Sequence, residues 1–76
     1  MKRRLPALKA GVVIRALKRA GFVVRRVRGS HYQLSHPNNP RLRVTVPYHG
    51  KDLRPNTLRE IIRQAGLEVG EFKDLL

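Results

Sequence analysis

The sequence predicts an α+β fold: a helix, a three-stranded antiparallel sheet, a second helix and a short third helix at the C-terminus. Apolar residues recur at helical spacing near both ends of the chain. Between them, short segments alternate apolar and polar residues as half-buried strands do, and Gly or Pro-Asn pairs separate the segments. The chain has 76 residues, which suits one small domain, so we assign residues 1–76 to a single domain.

The first predicted helix covers residues 9–20. Val13, Leu17 and Ala20 recur at spacings of four and three, so they share one helix face. Gly21 follows directly and is typical of the C′ position, where helices often end in a left-handed residue. The start of the helix is weakly marked, because no Ser, Thr, Asp or Asn precedes the apolar face.

Three strands are predicted at residues 22–28, 30–35 and 41–46, with a turn at residues 36–40 between the second and the third. Strands joined by such short turns run antiparallel. In the first strand, apolar residues occupy both odd and even positions and so do not alternate, which indicates a bulge or a strong local twist.

Alternation assigns the side chains of the other two strands to faces of the sheet. In the second strand, Tyr32 and Leu34 share one face and His31 lies on the other. In the third strand, one face carries Leu42, Val44 and Val46. The other face carries Arg41, Arg43 and Thr45. We therefore expect an apolar face covered by the helices and an open, basic face that carries His31.

A loop at residues 47–55 leads to the second predicted helix, which begins at Thr57. Thr57 and Glu60 form a Thr-x-x-Glu capping box, and Gly66 ends the helix. Its apolar face consists of Leu58, Ile61, Ile62 and Ala65. A final short helix is predicted at residues 69–76.

Positive charge is concentrated in the first two-thirds of the chain. The formal net charge is +12. Residues 1–51 contain thirteen Lys and Arg residues and no acid, whereas residues 52–76 contain four basic and five acidic residues. A basic block of this kind is typical of proteins that bind a polyanion, above all nucleic acid. The alternative is a soluble surface that merely happens to be basic.

No apolar run approaches the roughly 20 residues of a transmembrane helix, so we expect a cytoplasmic protein with no membrane partner. Residues 1–24 are basic, acid-free and amphipathic, and a transit peptide or a membrane-surface helix is the alternative for this stretch. The stretch contains no serine, and its removal would leave too little chain for a domain.

His31 is the candidate catalytic residue, because it stands among arginines and histidine changes its charge near neutral pH. RNA can be cleaved without a metal when its own 2′-hydroxyl attacks the neighbouring phosphorus. That reaction needs a base, cations on the phosphate oxygens and a proton for the leaving oxygen. From the pattern alone, an ordinary surface histidine remains the simpler interpretation.

Arginine engages phosphate through its planar fork, and other polar side chains can join it. The predicted RNA-binding residues are Arg25, Arg28, Ser30, Arg41, Arg43 and Lys51. The alternative role for Ser30 is only to stabilise the turn before His31. His49 is the candidate second proton carrier, with a phosphate contact or a loop-fixing hydrogen bond as alternatives. His36 is interpreted as a solvated turn residue, and Tyr32 fits the core better than a base-stacking platform.

Metal chemistry finds little support in the sequence. Cysteine is absent, which excludes thiolate ligands. Two-metal nucleases need clustered carboxylates, and the only acid before the second predicted helix is Asp52. Zinc bound through His31, His36 and His49 is disfavoured because their spacing fits no common zinc pattern. We therefore predict no metal and no cofactor.

Several segments, in order along nearly the whole chain, together resemble the HicA toxin family of small, ribosome-independent mRNA interferases. The segments are Val13-Ile14-Arg15-Ala16-Leu17, Ala20-Gly21-Phe22, Arg28-Gly29-Ser30-His31, Val46-Pro47-x-His49, Thr57-Leu58-Arg59-x-Ile61 and Gln64-Ala65-Gly66-Leu67. The α-β-β-β-α order likewise resembles the double-stranded-RNA-binding-domain architecture. Where the family often begins its first helix with Ser/Thr-x-x-Glu, this chain has Lys9-Ala10-Gly11-Val12.

The resemblance implies a toxin of a type II toxin–antitoxin system. Such a toxin is an endoribonuclease that cleaves single-stranded or messenger RNA and is neutralised by a HicB-type antitoxin protein. The catalytic histidine of the family belongs to its Gly-Ser-His motif and is here His31. Two other functions stay open: a non-catalytic RNA-binding module that uses the same basic sheet face, and a protein whose basic face docks an acidic partner.

Overall fold

The computed structural model of the protein describes residues 5–76 and shows the predicted order of elements. The elements are α1 (Ala10–Arg19), β1 (Val23–Arg28), β2 (His31–His36), β3 (Asn39–Pro47), α2 (Pro55–Gln64) and α3 (Val69–Lys73). The strands form one antiparallel sheet in the order β1-β2-β3, which confirms the α+β fold class. None of the helices within the described residues is long and apolar enough to cross a membrane. Residues 1–4, which begin both the predicted domain and the basic N-terminal stretch, lie outside the described residues.

The hydrophobic core lies between the helices and one face of the sheet. Leu34 of β2 and Val44 and Val46 of β3 are buried in one cluster with side chains from all three helices. The residues that alternate with them along β3, Arg43 and Thr45, are exposed. This confirms the predicted division into a covered apolar face and an open face.

The end of α1 is fixed by a glycine. Gly21 has a φ of 99°, a conformation that residues with a Cβ rarely adopt. The amide of Phe22 then reaches back to the carbonyl of Leu17 at 3.0 Å, which closes a Schellman motif. A Cβ at position 21 would lie only 2.7 Å from Nε2 of His36. The helix therefore turns into β1 at a point where only glycine fits.

His36 is not a solvated turn residue, and this interpretation was wrong. The residue ends β2, and its half-buried ring packs edge-on against Phe22 with the ring centroids 5.1 Å apart. Its Nδ1 accepts a hydrogen bond from the amide of Asn38, and its Nε2 lies 3.1 Å from the carbonyl of Ala20. With Nδ1 as acceptor, Nε2 carries the proton and donates it to that carbonyl. The ring thus joins the β2–β3 turn to the end of α1.

The first strand contains the bulge that its ambiguous pattern indicated. Val24 pairs with Leu34 and Val27 with Tyr32, but the register shifts between them at Arg25. Both valines therefore share the face of the sheet that packs on the helices, although they are three positions apart. The extra residue is what allows this, because strict alternation would place them on opposite faces.

The turn predicted at residues 36–40 is shorter in the structure. Only Pro37 and Asn38 link the strands, and β3 begins at Asn39, which pairs with His36. The next pair is Ser35 with Arg43, so the residues between Asn39 and Arg43 form an irregular excursion of β3. The pairing of β2 with β3 thus includes Asn39, which lies on the turn side of Pro40, although the turn was predicted to continue to residue 40.

The capping box predicted at the start of the second helix was also wrong. The helix begins at Pro55 with Arg54 as its N-cap and with no side-chain cap. Proline has no amide hydrogen and its φ already suits a helix, so it is well placed in the first turn. Glu60 binds Arg63 instead, one turn further on.

Candidate functional site

The candidate site is the open face of the sheet, on the side opposite the helices. Directly paired residues of antiparallel strands share a face, and alternate residues of one strand do so as well. The register therefore places three rows of neighbours there: Arg28, His31 and Pro47; Arg26, Gln33 and Thr45; and Val23, Ser35 and Arg43. We call this set the open face.

His31 lies at one end of the open face, as predicted. It is the first residue of β2 and is exposed, with Arg28 opposite it on β1 and Pro47 opposite it on β3. Within the described part of the chain, neither ring nitrogen of His31 hydrogen-bonds to a protein atom. Both nitrogens are therefore open to a substrate, so the ring can accept a proton at one and donate from the other.

The backbone on both sides of His31 is held in place. Gly29 adopts a φ of 59° in the turn before it, and the carbonyl of Ser30 accepts a hydrogen bond from the amide of Tyr48. On the covered face, the rings of Tyr32 and Tyr48 lie 4.9 Å apart, and Tyr32 packs against the core, as predicted. A side chain on a fixed strand is positioned more accurately than one on a free loop.

Arg25 reaches the open face from the bulge of β1. Its Nε donates a hydrogen bond of 2.7 Å to Oγ of Ser35, which lies opposite Arg43 in the adjacent pair. Two of the predicted phosphate-binding arginines thus stand on either side of one serine. Sequence reasoning placed both in the site but did not predict the contact with Ser35.

Arg26 was missed by the sequence analysis. It is exposed and pairs with Gln33, the residue between His31 and Ser35 on the open face. The face of the sheet that Arg26 occupies depends on where the bulge interrupts the alternation of the first strand. The sequence pattern could have located this bulge, because Val24 and Val27 can share a face only if one extra residue lies between them.

Three other predicted residues lie outside the regular rows. Arg41 is exposed in the irregular part of β3, where its amide donates to the side chain of Asn39 at 3.2 Å. His49 and Lys51 lie in the loop after β3 and line a shallow cleft of about 330 Å³ that begins at Pro47, the neighbour of His31. Their loop is tied to the residues before α1 by Lys9, whose Nζ donates to the carbonyl of Gly50 at 3.2 Å.

On α2, one basic side chain is paired with an acid, unlike the arginines of the open face. Nε of Arg63 donates to Oε1 of Glu60 at 2.9 Å, and a second guanidinium nitrogen contacts the other carboxylate oxygen. This hydrogen bonding, together with the positive charge, holds the pKa of Glu60 below its ordinary value, and Glu60 in turn raises the pKa of Arg63. Both groups are exposed, so we expect the pair to add little stability.

The three histidines do not form a metal-binding cluster. His31 and His36 occupy opposite ends of β2, about 16 Å apart at the usual rise per residue. Among residues 5–76, no group of three His, Asp or Glu side chains is arranged to hold a metal ion.

A comparison with protein families identifies a family for most of the chain. Residues 12–67 match the model of the HicA toxin of bacterial toxin–antitoxin systems, which is well over half of the 76-residue chain. The matched range contains His31 and all three strands and ends before α3. No curated protein matches the chain.

Proposed function

The chain belongs to the HicA toxin family of bacterial toxin–antitoxin systems, and from this premise we propose that it is a metal-independent endoribonuclease with His31 as its catalytic residue. The observation that carries the proposal is the position of His31. Its unengaged imidazole stands on a sheet face that contains arginines and no acid. Histidine among cations is suited to proton transfer at a phosphodiester bond.

In the proposed reaction His31 takes the proton of a ribose 2′-hydroxyl. The oxygen then attacks the adjacent phosphorus, and the bond to the 5′-oxygen of the next nucleotide breaks. The products are a 2′,3′-cyclic phosphate and a 5′-hydroxyl end, whose oxygen gains a proton. Arg28, opposite His31, and Arg26, in the next row, are placed to stabilise the charge on the non-bridging oxygens. His49 is the candidate donor of the proton to the leaving oxygen.

Cleavage in the presence of EDTA tests the reaction class. We expect the protein to cleave single-stranded RNA in EDTA, because no step of the reaction uses a metal ion. An otherwise identical oligonucleotide with 2′-deoxyribose throughout should remain intact, because the attacking oxygen is missing. Gel analysis of 5′-labelled strands measures both. Intact RNA contradicts the nuclease, whereas cleavage of the deoxy strand contradicts only attack by the 2′-hydroxyl.

One observation favours the alternative of a non-catalytic RNA-binding module. Catalytic histidines are commonly oriented by a hydrogen bond to their second nitrogen, and within residues 5–76 His31 has no such bond. In the nuclease, phosphate or ribose oxygens of the bound RNA would have to orient the ring. The module would bind RNA through the same arginines and would leave it uncut.

We also propose that a HicB-type antitoxin covers the open face. The family implies an antitoxin, and acidic side chains would suit arginines that have no acidic neighbour on this face. We expect a stable complex with the antitoxin encoded beside this gene, in which diethyl pyrocarbonate no longer modifies His31. Mass spectrometry of the free and bound toxin measures this protection. Equal modification of His31 in both states would place the antitoxin elsewhere.

A further inference from the structure

A cleft of about 520 Å³ opens on the sheet at the end remote from His31. Gln33 and Ser35 of β2 lie along it, Arg25 and Arg43 border it on the two outer strands, and Pro40 borders it beside the β2–β3 turn. Its volume is within the range of about 300–1,000 Å³ that is usual for small-ligand sites. The cleft is therefore large enough for one nucleotide.

The two arginines of the cleft are available to an anion. Ser35 holds the Nε of Arg25, and in the described residues the two terminal nitrogens of Arg25 donate to no protein acceptor. Arg43 is exposed and likewise has no acidic partner among residues 5–76. The lining contains no Asp or Glu. A guanidinium oriented by one hydrogen bond keeps its outer fork free for a phosphate oxygen pair.

The remaining lining fits a nucleobase better than an acidic side chain. Gln33 supplies an amide that can both donate and accept hydrogen bonds, and Thr45 supplies a hydroxyl. Pro37 and Pro40 supply apolar surface beside the β2–β3 turn. Single-stranded RNA is recognised by this combination of phosphate cations, flat or apolar surface and polar groups at base edges.

We propose that this cleft is a nucleotide pocket that binds a flanking nucleotide of the RNA, remote from the bond that is cleaved. Ser35 lies four residues from His31 along β2, which is about 13 Å at the usual strand rise. A phosphate held beside Ser35 by Arg25 and Arg43 is thus too far from His31 to be the one that is cleaved. The proposal rests on the proposed ribonuclease function, because that function supplies the RNA and the cleavage position.

Binding of single-stranded RNA to a non-cleaving background tests the pocket. In full-length protein carrying His31→Ala, we expect Arg25→Gln and Arg43→Gln each to weaken binding of an eight-nucleotide RNA about tenfold. Arg59→Gln is the matched control, because it removes the same charge from an exposed position on α2, and it should change Kd less than twofold. Fluorescence anisotropy at one fixed salt concentration measures all three.

A second measurement keeps the test independent of the variants. Uridine 3′-monophosphate added to the isotope-labelled protein should shift the backbone amide signals of Ser35, Arg43 and Thr45. Shifts confined to residues around His31 would overturn the pocket, as would equal weakening by Arg59→Gln. If Arg25→Gln and Arg43→Gln weaken binding of the antitoxin but not of RNA, the cleft is a surface for an acidic protein. That result would also overturn the nucleotide pocket.

The pocket and the nuclease can fail separately. If the native chain cleaves RNA but Arg25→Gln and Arg43→Gln leave the Kd for RNA unchanged, the pocket is contradicted and the nuclease is not. Binding that depends on both arginines, in a native chain that never cleaves RNA, contradicts the nuclease and supports the pocket as part of a binding module.

Discussion

Replacement of His31 by alanine is expected to lower the rate of RNA cleavage by at least about 100-fold, the usual contribution of a positioned proton-transfer group. The free energy of unfolding should change by less than about 0.5 kcal/mol, because the side chain is exposed and has no protein partner among the described residues. Initial rates of cleavage of one labelled RNA in EDTA, compared at equal protein concentration, measure the effect.

RNA binding separates loss of catalysis from loss of affinity. We expect His31→Ala to bind an uncleavable 2′-deoxy-substituted strand within about threefold of the native protein, since the arginines that we propose to contact phosphate are unchanged. His49→Ala is a separate test variant in the neighbouring loop, and its cleavage rate decides whether His49 donates the proton to the leaving oxygen. A His31→Ala variant that cleaves as fast as the native protein would leave His31 without a catalytic role.

Replacement of Phe72 by alanine is expected to lower the free energy of unfolding by about 3–5 kcal/mol, the usual cost of removing a fully buried aromatic ring. Phe72 is 0% exposed and is among the largest fully buried side chains of the core. Small domains have a total stability at the low end of about 5–15 kcal/mol, so much of the variant should be unfolded in mild urea. Urea titration followed by circular dichroism measures the loss.

Leu76→Ala is the control for Phe72, because it removes an apolar side chain from the same end of the chain. Leu76 is 46% exposed, so the expected change is within about 0.5 kcal/mol. Phe72 lies outside the range that matches the family, yet it anchors α3 in the core, and Arg19 of α1 donates to the carbonyl of Leu75 at 2.8 Å. Equal urea midpoints for Phe72→Ala and the native protein would mean that α3 is not part of the stable fold.

The sequence predicted the fold class and the positions of α1, the sheet and α3 closely. It was less accurate at the start of α2, because Thr57 and Glu60 satisfied a capping pattern that Pro55 made unnecessary. It was also less accurate for His36. A histidine before a proline favours a turn. The residues next to His36 in sequence do not indicate that Phe22 and the carbonyl of Ala20 lie against its ring.

The sequence by itself determined that His31 lies on the face opposite Leu34, because side chains alternate with a period of two along any strand. It also determined that this face lacks acids, since the first 51 residues contain none. Only the tertiary structure decided that Arg25, Ser35 and Arg43 border one cleft and that Arg26 joins the open face. Those neighbours depend on the register between strands and on one bulge, and register is set by the packing of the whole sheet against its helices.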